Sequence, residues 1–229
     1  MSHASTPTLA PPESADTSDY VIIHRAIRSA GHALADAAST LTIADRSRLD
    51  AFMRYWRGHT GEILSHHGIE DTIFFPALLQ RSPETAGVLE QLDREHHRLD
   101  QLMEAAEVEL ARVVAGAAPT AAVRALRQLA ELMDDHLDLE DREVVPRFVE
   151  LFTAAEYEQL TKAAIKQTGI NKQAAFTVPY IGYWSSTEER ELLLAQAPLP
   201  FRILYLATRR RHGKLAALAL GAPVVPAIS

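Results

Sequence analysis

The sequence predicts an all-α protein, an up-down-up-down antiparallel four-helix bundle with a short-helical C-terminal extension. Three observations predict it. Apolar residues recur every three or four positions between Thr17 and Gln167, no strand-like alternation interrupts them, and the breaks between them are short. Connections of that length make successive helices antiparallel neighbours.

The first stripe runs from Tyr20 through His24, Ile27 and Leu34 to Leu41. The second runs from Leu49 through Phe52, Trp56, His59, His66 and Glu70 to Ala77. The third runs from Leu89 through His96, Leu99 and Met103 to Leu110, and the fourth from Val123 through Leu129, His136 and Glu140 to Val144. Asp45, Ser82-Pro83 and Pro119-Thr120 have helix-start chemistry, and Gly116 marks a helix end. A short fifth helix is expected from Ala154 to Gln167, stopping at Gly169. Residues 1–16, rich in Pro, Ser, Thr and Ala and without a signal-peptide pattern, are expected to be a disordered tail. Residues 17–167 form the bundle unit. Residues 168–229 form the extension, with a loop-prone run around Pro179, Gly182 and Trp184. Short helical patterns follow at Glu188–Gln196, Phe201–Arg211 and Lys214–Leu220, separated by Pro198, Pro200 and Gly213. The extension is expected to pack on the bundle or to mediate contact with a partner or a second copy.

With 229 residues, 47% hydrophobic, 23% charged and a net charge of -7, the chain reads as an ordinary soluble domain with no overall attraction to nucleic acid. The Arg209-Arg210-Arg211 run reads as a solvated helix face. The apolar run Leu215–Ala222 is far short of the ~20 residues that span a bilayer. A cytoplasmic location is the expectation. There is no cysteine, so thiolate metal sites, disulfides and cysteine nucleophiles are excluded. Any metal must be held by nitrogen and oxygen.

Each apolar stripe carries a histidine where packing alone would place Leu or Ile: His24, His66, His96 and His136. Glu70 and Glu140 follow His66 and His136 by four residues, which puts each on the same face as its histidine. The pattern H-x3-E-D-x4-P occurs twice, at His66-Glu70-Asp71-Pro76 and at His136-Glu140-Asp141-Pro146, with an offset of 70 residues; His24 and His96 are offset by 72. A helix pair is therefore repeated, and two half-sites face each other across a pseudo-twofold axis. One inward histidine is ordinarily a hydrogen-bonded core residue. Six inward polar groups are another matter, because burying each without a partner costs roughly 2–7 kcal/mol. Positive charge must sit among them, and imidazoles with carboxylates suit iron, manganese or zinc rather than magnesium or calcium.

From Thr17 to Phe152 the sequence resembles the hemerythrin-like, or HHE cation-binding, domain, whose pattern is H…HxxxE…H…HxxxE on four successive helices. His66-His67-Gly68-Ile69-Glu70-Asp71 and His136-Leu137-Asp138-Leu139-Glu140-Asp141 look like its two signature segments. The resemblance implies a non-haem centre of two iron ions, joined by an oxo or hydroxo bridge, with His24, His66, Glu70, His96, His136 and Glu140 as ligands and both glutamates bridging. Oxygen-carrying hemerythrins have HxxxH on the third helix and HxxxxD on the fourth. Here the third helix carries His96-His97, and Asp141 lies about 140° round from His136, so Glu140 is the better bridge.

Other polar residues have weaker assignments. His67 and His97 each follow a proposed ligand by one position, about 100° round, and are expected at a helix boundary or on the surface, with metal ligation as the alternative. Asp71 and Asp141 are expected either to accept from ligand imidazoles or to face solvent. His32 and His212 are expected to be solvated. His59 lies on the core stripe two turns before His66, while its counterpart in the repeat is Leu129. It is either a core hydrogen-bonding residue or a catalytic proton shuttle, with Tyr55 as its partner. Four imidazoles would leave open positions on both irons, which favours decomposition of hydrogen peroxide or handling of reactive oxygen or nitrogen species, as in catalase-like bacterial members of the family. The alternative is a non-enzymatic O2, NO or iron sensor or binding protein. The expected partners are therefore small molecules, H2O2, O2 or NO.

Overall fold

Helix follows the apolar stripes in the computed structural model, which describes residues 13–221. The first stripe is α1 (Ser18–Ala38) and the second begins as α2 (Arg46–Ile69), capped by the Asp45 carboxylate accepting from the Arg48 N–H at 3.0 Å. A π-helical turn (Glu70–Phe74) and α3 (Phe75–Arg81) continue it. After a 3-10 turn at Pro83–Thr85 come α4 (Ala86–Val114), α5 (Thr120–Glu143) and α6 (Val145–Leu151). The remaining helices are α7 (Ala154–Thr168), α8 (Ala174–Trp184), α9 (Thr187–Gln196) and α10 (Leu199–Leu220). Among the described residues there is no strand, and Ser14 and Thr153 form an isolated bridge.

The two repeated prolines explain the breaks that follow the signature segments. Pro76 and Pro146 each lack the N–H an α-helix would use, and each ring crowds the carbonyl four residues back. In the second helix the chain responds with the π turn, where the Phe75 N–H donates to the Glu70 carbonyl. In the fourth it responds by ending α5 at Glu143 and restarting as α6. Both breaks fall just past the glutamates.

Two apolar clusters flank a polar layer. Ile27, Ile63, Leu99 and Met133 belong to the larger cluster, while Tyr20, Phe74, Leu92 and Val144 belong to the smaller. Along α1, α2, α4 and α5, with the segments that continue α2 and α5, the inward histidine lies between a residue of one cluster and a residue of the other.

Several expectations need correction. Residues 13–16 are not a free tail: the Ala15 N–H donates to the Phe152 carbonyl at 3.1 Å, the Ala154 N–H donates to the Glu13 carbonyl at 2.8 Å, and Ala15 is buried. Residues 1–12 of the expected tail lie outside the described residues. The run around Pro179 is the helix α8, and Gly213 does not interrupt α10. A helical Gly costs only about 1 kcal/mol relative to Ala, and burial of Tyr205, His212, Ala216 and Ala219 outweighs it. His212 is not solvated; it packs against Tyr55, Phe176 and Tyr180, and burial pushes its pKa down to about 4.

The extension packs on the bundle, with α8 against α1 and α2, and α10 against α2 and α8. Polar bonds fix it there. The Tyr180 hydroxyl donates to the Ala26 carbonyl at 3.1 Å, the Trp184 indole donates to the Tyr55 hydroxyl at 2.9 Å, and the Gln173 amide donates to the Gly58 carbonyl at 3.0 Å. The approach is tight at Gly58, where a Cβ would lie within 2.5 Å of three carbons of the Phe176 ring. We therefore expect Gly58→Ala to overpack the α2–α8 contact and lower stability by about 1–3 kcal/mol, read as a lower Tm. An unchanged Tm would show that Phe176 swings aside freely.

Candidate metal centre

His24, His66, His96 and His136 meet in the polar layer with Glu70 and Glu140, and all six are buried. The two His–Glu pairs of the repeat have matching geometry: His66 Nε2 lies 3.0 Å from Glu70 Oε1, and His136 Nε2 lies 3.1 Å from Glu140 Oε1. His24 Nε2 is 3.2 Å from Glu140 Oε2, and His96 Nε2 is 3.6 Å from Glu70 Oε2. These short separations are not satisfied hydrogen bonds. The Nε2 atoms of all four histidines, Glu70 Oε2 and Glu140 Oε1 are buried without a hydrogen-bond partner.

The outward nitrogens explain why. His24 Nδ1 lies 2.7 Å from Asp141 Oδ1, His96 Nδ1 lies 3.1 Å from Asp71 Oδ1, and His136 Nδ1 lies 3.1 Å from Glu95 Oε2. A carboxylate can only accept, so each of these Nδ1 atoms carries a proton and donates it. In the neutral imidazole Nε2 is then a bare lone pair aimed inward. The Asp residues of the duplicated signature thus cross over, each serving the single histidine of the other helix pair. Arg28 in turn holds Asp141 at 3.1 Å and donates to the Asp138 carboxylate.

His67 belongs to the same layer, contrary to the expectation of a boundary or surface position. It is buried, both its ring nitrogens lack partners, and its ring stacks on His96 with centroids 3.9 Å apart. The donor atoms fall into two groups, His67 with His96 and His136, and His24 with His66, Glu70 and Glu140; within each group they lie within 4.8 Å of one another. The repeat held the missed signal, because the position 70 residues after His67 is Leu137, a fully buried core residue. His97, by contrast, is exposed, with its Nδ1 2.8 Å from the Asp93 carbonyl, and takes no part in the layer. Its counterpart 72 residues earlier is Arg25, another outward position.

One further correction concerns the partner of His59. Its Nδ1 lies 2.9 Å from the Tyr180 hydroxyl rather than bonding to Tyr55. Since that hydroxyl already donates to the Ala26 carbonyl, His59 donates to it. Burial drives its pKa to about 3, so the ring is neutral at physiological pH. His59 also belongs to neither donor group. His32 is exposed as expected, 2.8 Å from Asp134.

Glu95 and Glu62 are polar residues around the layer that lie outside the stripes, and Tyr20 opens the first stripe with no sign there of a role in the site. The Tyr20 hydroxyl donates to Glu70 Oε1 at 2.5 Å and is held well above its usual pKa by burial and by both glutamates, so it keeps its proton. Glu62, four residues before His66, is buried and accepts from the Thr177 hydroxyl.

Electrostatically, burial and Glu140 push Glu70 up, but His66 and His24 outweigh them and hold it at about 2. Glu140 is likewise held well below the usual carboxylate range, His136 and His24 outweighing its burial. Burial opposes charge on His24, yet its bonds to Asp141 and both glutamates raise its pKa well above 6.5. Burial and neighbouring imidazoles push His67 well below 6.5. Five imidazoles and two carboxylates with lone pairs turned inward fit a divalent or trivalent transition metal. Because a metal must displace the proton held by His24, affinity should keep rising with pH beyond the ordinary imidazole pKa. Titrations of metal-free protein with Fe(II) check this, and an affinity flat above about pH 6.5 would contradict it.

The hemerythrin HHE cation binding domain family matches residues 19–148, more than half of the chain. No curated protein and no solved structure matches the chain. Among the described residues, no helix is long and apolar enough to cross a membrane.

Proposed function

From the premise that this chain belongs to the hemerythrin HHE cation-binding family, we propose that it is a di-iron protein with two unequal ions. In this reading one ion is held by His67, His96 and His136 and the other by His24 and His66, while Glu70 and Glu140 reach both. The same reading places the four long helices in an up-down-up-down antiparallel bundle, supported by the short links at 39–45 and 115–119. Iron in such a centre supplies a coordination position and redox electrons to dioxygen, nitric oxide or peroxide.

The observation that carries the functional reading is the burial of His67 beside His96 and His136. Four imidazoles would leave open positions on both ions and favour peroxide turnover. A fifth fills one ion and leaves the open position on the His24–His66 side, which favours terminal binding of O2 or NO. Asp141, Asp71 and Glu95 hold the ligand imidazoles in one tautomer, and Tyr20 keeps a proton on its hydroxyl beside Glu70. Apolar clusters flank the layer on either side.

We expect His67→Leu, which installs the residue of the repeat, to retain about one iron of two, and Glu70→Ala to lose both. Iron analysis and the optical spectrum decide it. Full iron content with an unaltered spectrum in His67→Leu would remove His67 from the ligand set. For the intact iron-loaded protein the expected result is a reversible oxygen- or nitric-oxide-dependent band. Sustained oxygen evolution from peroxide without such a band would return the reading to peroxide decomposition.

A further inference from the structure

A cavity of 280 Å³ lies between the metal-site layer and the C-terminal helices. Tyr20, His66 and Glu70 line it on the metal-site side. Its walls are mainly apolar, with Ile23 and Ile69 from the bundle, Ile165 from α7, Val178 from α8, Leu194 from α9 and Phe201 from the start of α10. All four of those later helices lie beyond residue 148, where the family match ends.

Size sets the first constraint. A water molecule occupies ~30 Å³ of liquid. A diatomic gas or hydrogen peroxide is of that order, so the space is several times larger than either requires. It approaches the ~300 Å³ at which pockets for organic ligands begin.

Charge sets the second constraint. Three carboxyl groups line the cavity: Glu62, Glu70 and Asp19, the last accepting from the Tyr157 hydroxyl at 3.2 Å. The wall also carries Arg190, which is turned to the Gly182 carbonyl and the Thr187 hydroxyl, at 3.3 and 3.1 Å. An anionic ligand would meet more negative than positive charge. A neutral donor would not, because Glu62 Oε2 accepts from Thr177 and Oε1 remains for a ligand hydroxyl.

We propose that this cavity binds a neutral, mainly apolar organic molecule carrying a hydroxyl, an alcohol or a phenol, beside the His66–Glu70 face of the metal centre. The binding site is formed between the C-terminal helices and the bundle and does not depend on the metal. It extends the proposed function by placing an organic molecule next to the position left open on the His24–His66 side.

The test uses the full chain, metal-free and iron-loaded, titrated calorimetrically with 2-naphthol and 1-octanol, and with octanoate as the anionic comparison. Both neutral probes are expected to bind one per chain in both forms, and octanoate about tenfold or more weakly than octanol. Ala164→Trp, on the α7 wall, fills the space. It should weaken both neutral probes about tenfold or more while helicity and iron content stay unchanged. Should that variant lose helicity, Val178→Phe on the α8 wall replaces it with the same expectation. Failure of both neutral probes to bind, equal binding by wild type and the filled variant, or octanoate binding as tightly as octanol would each overturn the proposal. If the di-iron reading alone fails, the metal-free protein still binds the probes; if the cavity reading alone fails, iron content and spectrum are unaffected.

Discussion

The structure depends on a set of buried, inward-facing imidazole nitrogens and carboxylate oxygens left without hydrogen-bond partners in the protein. Imidazole Nε2 atoms and carboxylate oxygens from four helices converge in a layer closed on both sides by apolar clusters. Unpaired polar groups in such surroundings cost roughly 2–7 kcal/mol each, so the layer is stable only with protons or cations in its midst. The outer shell shows which was selected. Asp141, Asp71 and Glu95 hold protons on the outward nitrogens, an arrangement that prepares the inner nitrogens to bind metal rather than to bond with one another.

Duplication then supplies near-symmetry, and two substitutions break it. His67 stands where the repeat has Leu137, and Tyr20 stands where it has Leu92. These departures serve opposite donor groups. His67 adds an imidazole beside His96 and His136, whereas Tyr20 places a hydroxyl against Glu70 with its ring 4.6 Å from that of His24. A scaffold with equivalent halves thereby presents one group richer in nitrogen and another with a proton-bearing neighbour. Chemistry at the two halves need not be the same.

Much of this was legible in the sequence, and the losses have physical causes. Helix positions in α1, α2, α4 and α5 followed from the 3.6-residue period, and the stripes together with the duplicated signature located six of the seven convergent donors. His67 escaped because a helix wheel assigns one inward direction per turn, while a layer wide enough for two donor groups admits two adjacent residues. The partners of the outward nitrogens could not be ranked from spacing alone, since Asp71 reaches His96 across the bundle only once the helices are packed. Local propensity also misread α8, where Pro179 and Gly182 suggest a loop. Burial of Ala174, Tyr180 and Trp184 against the bundle overrides that signal. His59 was ambiguous and His212 was misread as solvated for the same reason, because burial of each depends on packing between the extension and the bundle.

That dependence runs in both directions along α2. Gly58 and Gly61 leave grooves that Phe176 and Gln173 fill, and Glu62 accepts from Thr177 one turn further on. His59 between them donates to Tyr180. A helix face with two glycines, a buried carboxyl and a buried imidazole makes no sense as a solvated surface, but it fits a close-packed neighbour that supplies hydroxyls. Since this face continues directly into His66 and Glu70, the extension supports the helix that carries three of the convergent donors, including His67. Its position over Glu62 also encloses the approach to the metal layer, so the same contact that stabilises α2 determines what size and polarity of molecule can reach the layer from that side.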